Sequence, residues 1–489
     1  MFNKIKHNYS IILFILLVVG FILRFYFIQL DPFLHNWDEH FHALVGKNLS
    51  TNPLKPMLIV NPVVPYKIAE WNANHIWVHK QPLFLWQIAL SIKMLGNTVL
   101  AVRFPSLIMT WLSILMMYRI TLLFTRNART AIFAALLICF SNFQLNLISG
   151  RYATDHNDVA FGFYVLCSIW SYIEYLEKPK WYWIVLIGVF SGSAILVKWL
   201  TGLLVYSAWG IQILIDLRHK KFFQITLPFI LSVLIAFIVF VPWQLYIAKY
   251  FPAETTYEND FNKRHLWEAL EGNGGGIFYY IKKFRSYYGI LGTILFSFGL
   301  LISIKKVELN KKIGQTLIVL FVIAFLFFSF IVATKMPAFM YCVFPIGIIY
   351  AGIGLENLSQ RINTKWLFGL FLLMVLFETV NPINIWKYNS KPEVAIKRHN
   401  TCILKNIDKI LPSDIQIVMN LGSNENIDLM YFSNRNITAY QGVVSAKDLQ
   451  ELLKRKATIA VFGSHGKYQI PDYIKEYPYL FIIDEKLKD

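Results

Sequence analysis

At 489 residues, with 56% hydrophobic and only 16% charged residues, the chain is too poor in charge for a soluble globular protein, in which about 25% of residues are charged. Its net charge of +18 would suit a nucleic-acid partner, but the basic residues alternate with greasy stretches and form no single patch, so no such partner is expected. Cys139, Cys167, Cys342 and Cys402 include no Cys-x-x-Cys pair, which removes a disulfide framework and a zinc-thiolate site from consideration.

In chain order, the first apolar run, "IILFILLVVGFILRFYFIQL", continues past Arg24 with no small-residue cleavage site after it, and reads as a retained membrane helix rather than a signal peptide. Further runs long enough to cross about 30 Å of hydrocarbon are expected near 99–121, 130–148, 159–176, 181–197, 199–216, 223–246, 286–304, 315–333, 339–355 and 365–381, about 11 spans with the first near 10–29. The stretch 82–96, "PLFLWQIALSIKMLG", is shorter and carries Lys93, as a helix lying along the interface would. With the N-terminus cytoplasmic and 82–96 not crossing, the cytoplasmic loops read "FNKIKH", "RITLLFTRNAR", "EKPK", "LRHKK", "SIKKVELNKK" and "SQRINTK", all basic. Residues 1–384 then form a membrane domain whose outer loops are 31–97, 149–158 and 247–285. The tail, 385–489, alternates strand-like "IQIVMN", "NITAY", "ATIAVFGS" and "YLFIID" with helix-like "NIDLMYF" and "SAKDLQELLKRK", which predicts a small extracytoplasmic α/β domain.

The outer loops hold the chemistry. "HNWDEHFHA" places Asp38, Glu39, His40 and His42 just beyond the first span. His79 and Lys80 precede the interfacial helix, Asp155 and Asp158 close the second loop, and Lys198, Arg264 and Lys335 fall at other outer-face turns. A solvated loop charge needs no explanation, but ionisable groups recurring at every outer turn mark a site at the membrane level. Carboxylates can take a proton from an acceptor hydroxyl, and cations can hold a phosphate as its charge develops. A lipid-phosphate donor meeting its acceptor outside the bilayer requires that combination.

Several of these stretches resemble one family. "WDEHFHALVGKNL" is similar to the first outer loop of the lipid-linked-sugar glycosyltransferases with the type C fold, the group of the protein O-mannosyltransferases and the lipid A aminoarabinose transferases. "HKQPLFLWQIALSIKMLGNTVLAVRFPSL" resembles their Lys-Pro-Pro or His-Pro-Pro segment, interfacial helix and Arg-x-Pro-Ser turn. "GRYATDHNDVAFGFY" resembles their second acidic site and "AILVKWLTGLLV" their Leu-x-Lys-x-x-Gly-Leu element. "PWQLYIAKY" with "LEGNGGGIFYY" resembles their third outer loop, and "ATKMPAFMYCVFP" their Lys-x-Pro segment. The likeness runs from about residue 10 to 355, with six motifs in the family's order.

The resemblance implies an inverting glycosyltransferase in a cell (cytoplasmic or inner) membrane, moving a sugar from a polyprenyl-phosphate donor to a glycolipid, glycan or protein acceptor on the outer side. It makes Asp38 the general base and Glu39 its support, with Lys80, Lys198, Lys335 and Arg264 around the donor phosphate. Asp158 resembles the second acidic position, and "DHND" leaves Asp155 as its competitor. The aminoarabinose subgroup has glutamate where this chain has His79, and His-Tyr where it has Ala338 and Phe339, so that subgroup's metal site does not carry over. A divalent metal would have to use His40, His42 or His79 with Asp38, and Trp37 could stack on a sugar ring. The competing readings are a lipid-linked-sugar flippase, which would place ionisable residues at helix midpoints, and an O-antigen-type polymerase or ligase, whose large late outer loop this chain lacks.

Overall fold

The computed structural model describes residues 2–36, 38–71, 74–152, 156–198, 200–217, 221–305, 309–422 and 424–488. Trp37 and Asp155 lie outside these described residues. The chain divides into two compact units, one of residues 1–28, 106–252 and 258–382, the other of 29–105, 253–257 and 383–489.

The first unit is helical. Helices long and apolar enough to cross a membrane include Tyr9–Ile28, Val99–Thr125, His156–Glu177, Trp181–Lys198, Phe222–Tyr250, Phe284–Ile304, Lys311–Ile331 and Gly369–Asn389, some reaching into the second unit. Ala128–Cys139 and Asn142–Ile148 form an apolar pair bent by 44°, long enough together to be a broken span or a re-entrant loop. The expected spans 199–216 and 339–355 appear as shorter helices, Leu204–Asp216 and Phe344–Ser359, each preceded by a tight 3-10 turn. On Phe222–Tyr250, Leu227, Ile230, Leu231, Leu234 and Ile238 face outward, a greasy surface of the kind lipid covers.

The bend after Cys139 has a partner. Arg24, fully buried in the first span, donates to the carbonyls of Ile138 and Cys139 (3.3 Å each), where the helix breaks and leaves acceptors free. It also reaches Gly20 O at 3.1 Å, Thr110 Oγ1 at 3.1 Å and Gln144 Oε1 at 2.5 Å. A guanidinium thus binds neutral oxygens from three other chain segments.

In the second unit, the 14-residue helix Asp38–Thr51 puts Asp38 and Glu39 in its first turn, where carboxylates suit the helix dipole. The expected interfacial helix forms as Pro82–Leu95, opened by Pro82 and closed by Gly96, whose φ of 73° only glycine adopts freely. The tail folds as predicted, with β1 (Ile417–Leu421), β2 (Thr438–Gln441), β3 (Ile459–Phe462) and β4 (Phe481–Ile483) in one parallel sheet of order β2-β1-β3-β4. Ile417, Met419, Ile459 and Val461 bury against Leu449 and Leu452 of the helix Ala446–Lys454. That helix starts with a reciprocal cap, Ser445 accepting from Asp448 N while its hydroxyl donates to the Asp448 carboxylate at 2.6 Å. Two helices were not foreseen: Pro382–Asn389, which forms the end of the last span, and Pro392–Lys405, which leads from it toward the sheet.

Candidate functional site

Asp38 begins a helix that is otherwise buried, so its position is set by the scaffold while its carboxylate stays partly open. Lys80 Nζ lies 3.4 Å from Asp38 Oδ2, and the two side chains are 17% and 30% exposed, accessible enough for a substrate to reach both.

Glu39 is spent differently. Its carboxylate takes Arg103 Nε at 2.7 Å and Nη2 at 3.1 Å, a two-pronged bond between fully buried groups. Its second oxygen also accepts from His35 N at 2.6 Å. Two further protons of Arg103 go to the carbonyls of Asp31 and Phe33, both at 2.9 Å, so one arginine ties residues 31–39 to the start of the helix Val99–Thr125. Nearby, burial pushes the His35 imidazole below its ordinary pKa, and its Nε2 lies 3.1 Å from Asp31. Glu39 is therefore a buried strut between the segment before the helix and Arg103.

The histidines are occupied by packing. His40 Nδ1 donates to Asp428. His42 is buried between Trp77 and Phe84, and His79 lies against Trp71 (4.2 Å between ring centres) and Trp77 (5.4 Å). Among the described residues no group of three His, Cys, Asp or Glu side chains is placed to hold a metal ion.

The first unit holds a second set. Asp158, buried in the first turn of His156–Glu177, bonds to Lys198 at the end of Trp181–Lys198. The Lys198 ammonium also sits 4.7 Å over the Phe339 ring, one of the positions where aminoarabinose relatives were expected to differ. Lys335 is buried and donates to Phe328 O at 2.5 Å, Ser329 O at 3.0 Å and Val332 O, closing the end of the π-helical turn Phe327–Ile331. Arg264 makes a surface pair with Glu268 at 2.6 Å.

Two partners escaped sequence reasoning. Arg103 read only as part of an Arg-x-Pro-Ser turn, although a charge inside an apolar helix signals a buried counter-ion. Asp428 sits in a tail to which no chemistry was assigned, 388 positions from its histidine, and nothing local points from one to the other.

Residues 79–246 match the family profile described as dolichyl-phosphate-mannose-protein mannosyltransferase. The chain is 26% identical over 333 residues (67% of its length) to undecaprenyl phosphate-alpha-4-amino-4-deoxy-L-arabinose arabinosyl transferase 2 of Proteus mirabilis, of which the alignment covers 56%. It is also 26% identical over 188 residues (36% of its length) to an enzyme of the same description, without the numeral, from Pseudomonas aeruginosa strain UCBPP-PA14, of which it covers 32%. The chain thus spans about half or less of the length of these relatives. Among solved structures it superposes on ArnT from Cupriavidus metallidurans bound to undecaprenyl phosphate with a TM-score of 0.64 at 16% identity, over 90% of this chain and 87% of that one. The archaeal oligosaccharyltransferase AglB from Archaeoglobus fulgidus follows at 0.55 and 12% identity, over 98% and 64%. These are multi-pass membrane folds, and this chain shares their architecture. The chain has the fold of the type C glycosyltransferases, and its sequence resembles their protein mannosyltransferase and aminoarabinose transferase members, as its motifs led us to expect.

Proposed function

We propose that this protein is an inverting glycosyltransferase that moves a sugar from a polyprenyl-phosphate donor to an acceptor hydroxyl outside the membrane. The observation that carries the reading is the accessible Asp38–Lys80 pair at the start of a buried helix. An acceptor oxygen attacks the anomeric carbon as the carbon–phosphate-oxygen bond breaks. The hydroxyl proton passes to the Asp38 carboxylate, and the polyprenyl phosphate leaves with the electron pair, its charge met by Lys80. Lys198 and Arg264 are further candidates for the anionic headgroup, Lys198 held by Asp158 until a phosphate competes for it. Lys335, whose protons close the π-helical turn, serves the donor by holding that turn in place. The similarity to transferases named for undecaprenyl phosphate-linked aminoarabinose supports a polyprenyl-phosphate donor, with a glycolipid, glycan or protein as acceptor.

The test is to give the purified full-length protein a panel of polyprenyl-phosphate sugars with lipid, glycan and peptide acceptors. Consumption of one donor with release of polyprenyl phosphate and an inverted anomeric product is expected. A donor moved across vesicles without cleavage would replace transfer by transport.

We also place the protein in the cytoplasmic (inner) membrane with its N-terminus cytoplasmic, on the basis of the basic loops. Single cysteines at Asn127 and Asn310 should be protected from an impermeant thiol reagent in intact cells. Cysteines at Asn273 and Ser445 should react. Labelling at Asn127 would overturn this orientation.

A further inference from the structure

The helix that carries Asp38 is gripped by the tail of the chain. His40 Nδ1 donates to Asp428 on the helix Glu425–Phe432, and both side chains are buried. Seven residues on, and so on the same face, Lys47 Nζ donates to Met430 O at 2.6 Å and Ser433 O at 2.5 Å, the carbonyls closing that tail helix. The loop before Asp38 is held by the tail as well. Lys405 Nζ donates to Pro32 O at 2.6 Å, and Arg398 lies 3.8 Å from Asp31. Tyr431 Oη donates to Thr98 O at 2.8 Å, just ahead of Arg103.

Helix geometry shows what these ties accomplish. Consecutive residues project about 100° apart around the axis. The Glu39–Arg103 bond and the His40–Asp428 bond therefore hold the first turn from two directions, and Lys47 fixes the far end. Rotation and sliding of the helix are both blocked. Asp38, about 200° around from His40, points away from the tail contact. Burying a His–Asp pair is costly unless its geometry is satisfied, and such pairs fix register more than they add stability. Asp428 is further compensated by the charges of Lys397 and Lys405.

Resting on the function proposed above, we propose that His40 and Asp428 are positioning residues that aim Asp38, so that the C-terminal α/β domain is a working part of the catalytic apparatus. The expectation follows from the sensitivity of catalysis to alignment, where a misplacement near 1 Å costs about 10²-fold.

The test uses the full chain in detergent or nanodiscs with Asp428→Asn, which keeps shape and removes charge, and His40→Leu, which keeps bulk and removes the donor. We expect kcat to fall by about 10²-fold with donor KM little changed, and amide exchange to accelerate in 38–51 while β1 to β4 keep their protection. The reciprocal pair, His40→Asp with Asp428→His, should recover most of the lost kcat, which a loss of mere packing would not allow. Unchanged kcat and unchanged exchange in 38–51 would overturn the proposal. So would exchange that accelerates throughout the sheet, since the pair would then hold the domain itself together. The exchange measurement does not depend on turnover: a wild type that cleaves no polyprenyl-phosphate sugar would defeat the proposed function while the mechanical claim is still judged by 38–51.

Discussion

Asp38→Asn should reduce sugar transfer by about 10²–10⁴-fold, the usual loss when a general base is removed. The amide matches the carboxylate in size, and helix Asp38–Thr51 is anchored by Glu39, His40 and Lys47, so expression and thermal stability should be close to wild type. Donor binding should persist, because Lys80 remains and loses only the competitor for its charge. The discriminating measurement is single-turnover transfer with saturating donor, alongside a direct donor-binding assay. Transfer near the wild-type rate would return Asp38 to the status of a solvated loop charge. If Glu39→Gln were inactive with its fold intact while Asp38→Asn stayed active, the base would have to be reassigned to Glu39.

The second large effect concerns folding. Arg103→Ala strands the Glu39 carboxylate and frees the carbonyls of Asp31 and Phe33 in the interior. Removing one partner of a buried ion pair costs about 3–5 kcal/mol, which places this variant at the edge of folding. Arg103→Lys should recover little, since an ammonium cannot reproduce a two-pronged bond to one carboxylate together with two carbonyl contacts. Glu39→Gln should be milder, because the amide oxygen still accepts one arginine proton and the arginine retains both carbonyls. Unfolding midpoints of the three variants in one detergent would test this order, and a loss below about 1 kcal/mol for Arg103→Ala would mean that the pair behaves like a surface contact.

The membrane helices and the strand–helix alternation of the tail were legible because each is written in a local pattern: twenty-residue apolar runs, basic loops, short β-branched stretches. The stretch 82–96 was read correctly as a short helix from its length and Lys93. The site was legible in residue type but not in partnership. Asp38 and Lys80 meet, and Asp158 and Lys198 meet, across 42 and 40 positions that only the fold closes. Nothing local separates Asp38 from Glu39, yet one stays open beside a lysine and the other is locked under an arginine. Lys335 looked like a free cation near a headgroup, and its sequence could not announce that a π-helical turn ending four residues upstream, at Ile331, would leave carbonyls for it to cap.

Arg24 has a consequence for how the chain is made. Within its own helix it finds one acceptor, Gly20 O, and its others come from residues 110, 138, 139 and 144. An arginine in a membrane helix carries an insertion penalty that reaches roughly 2.5–3.5 kcal/mol at the helix centre, and Arg24 lies toward the C-terminal end of its span, Tyr9–Ile28. Leaving the translocation channel early would expose that group to lipid with 86 residues still to be made to reach Thr110 and 120 to reach Gln144. The hydrogen bonds of Arg24 are therefore complete only once the bent pair, Ala128–Cys139 with Asn142–Ile148, has been made and packed against the first helix.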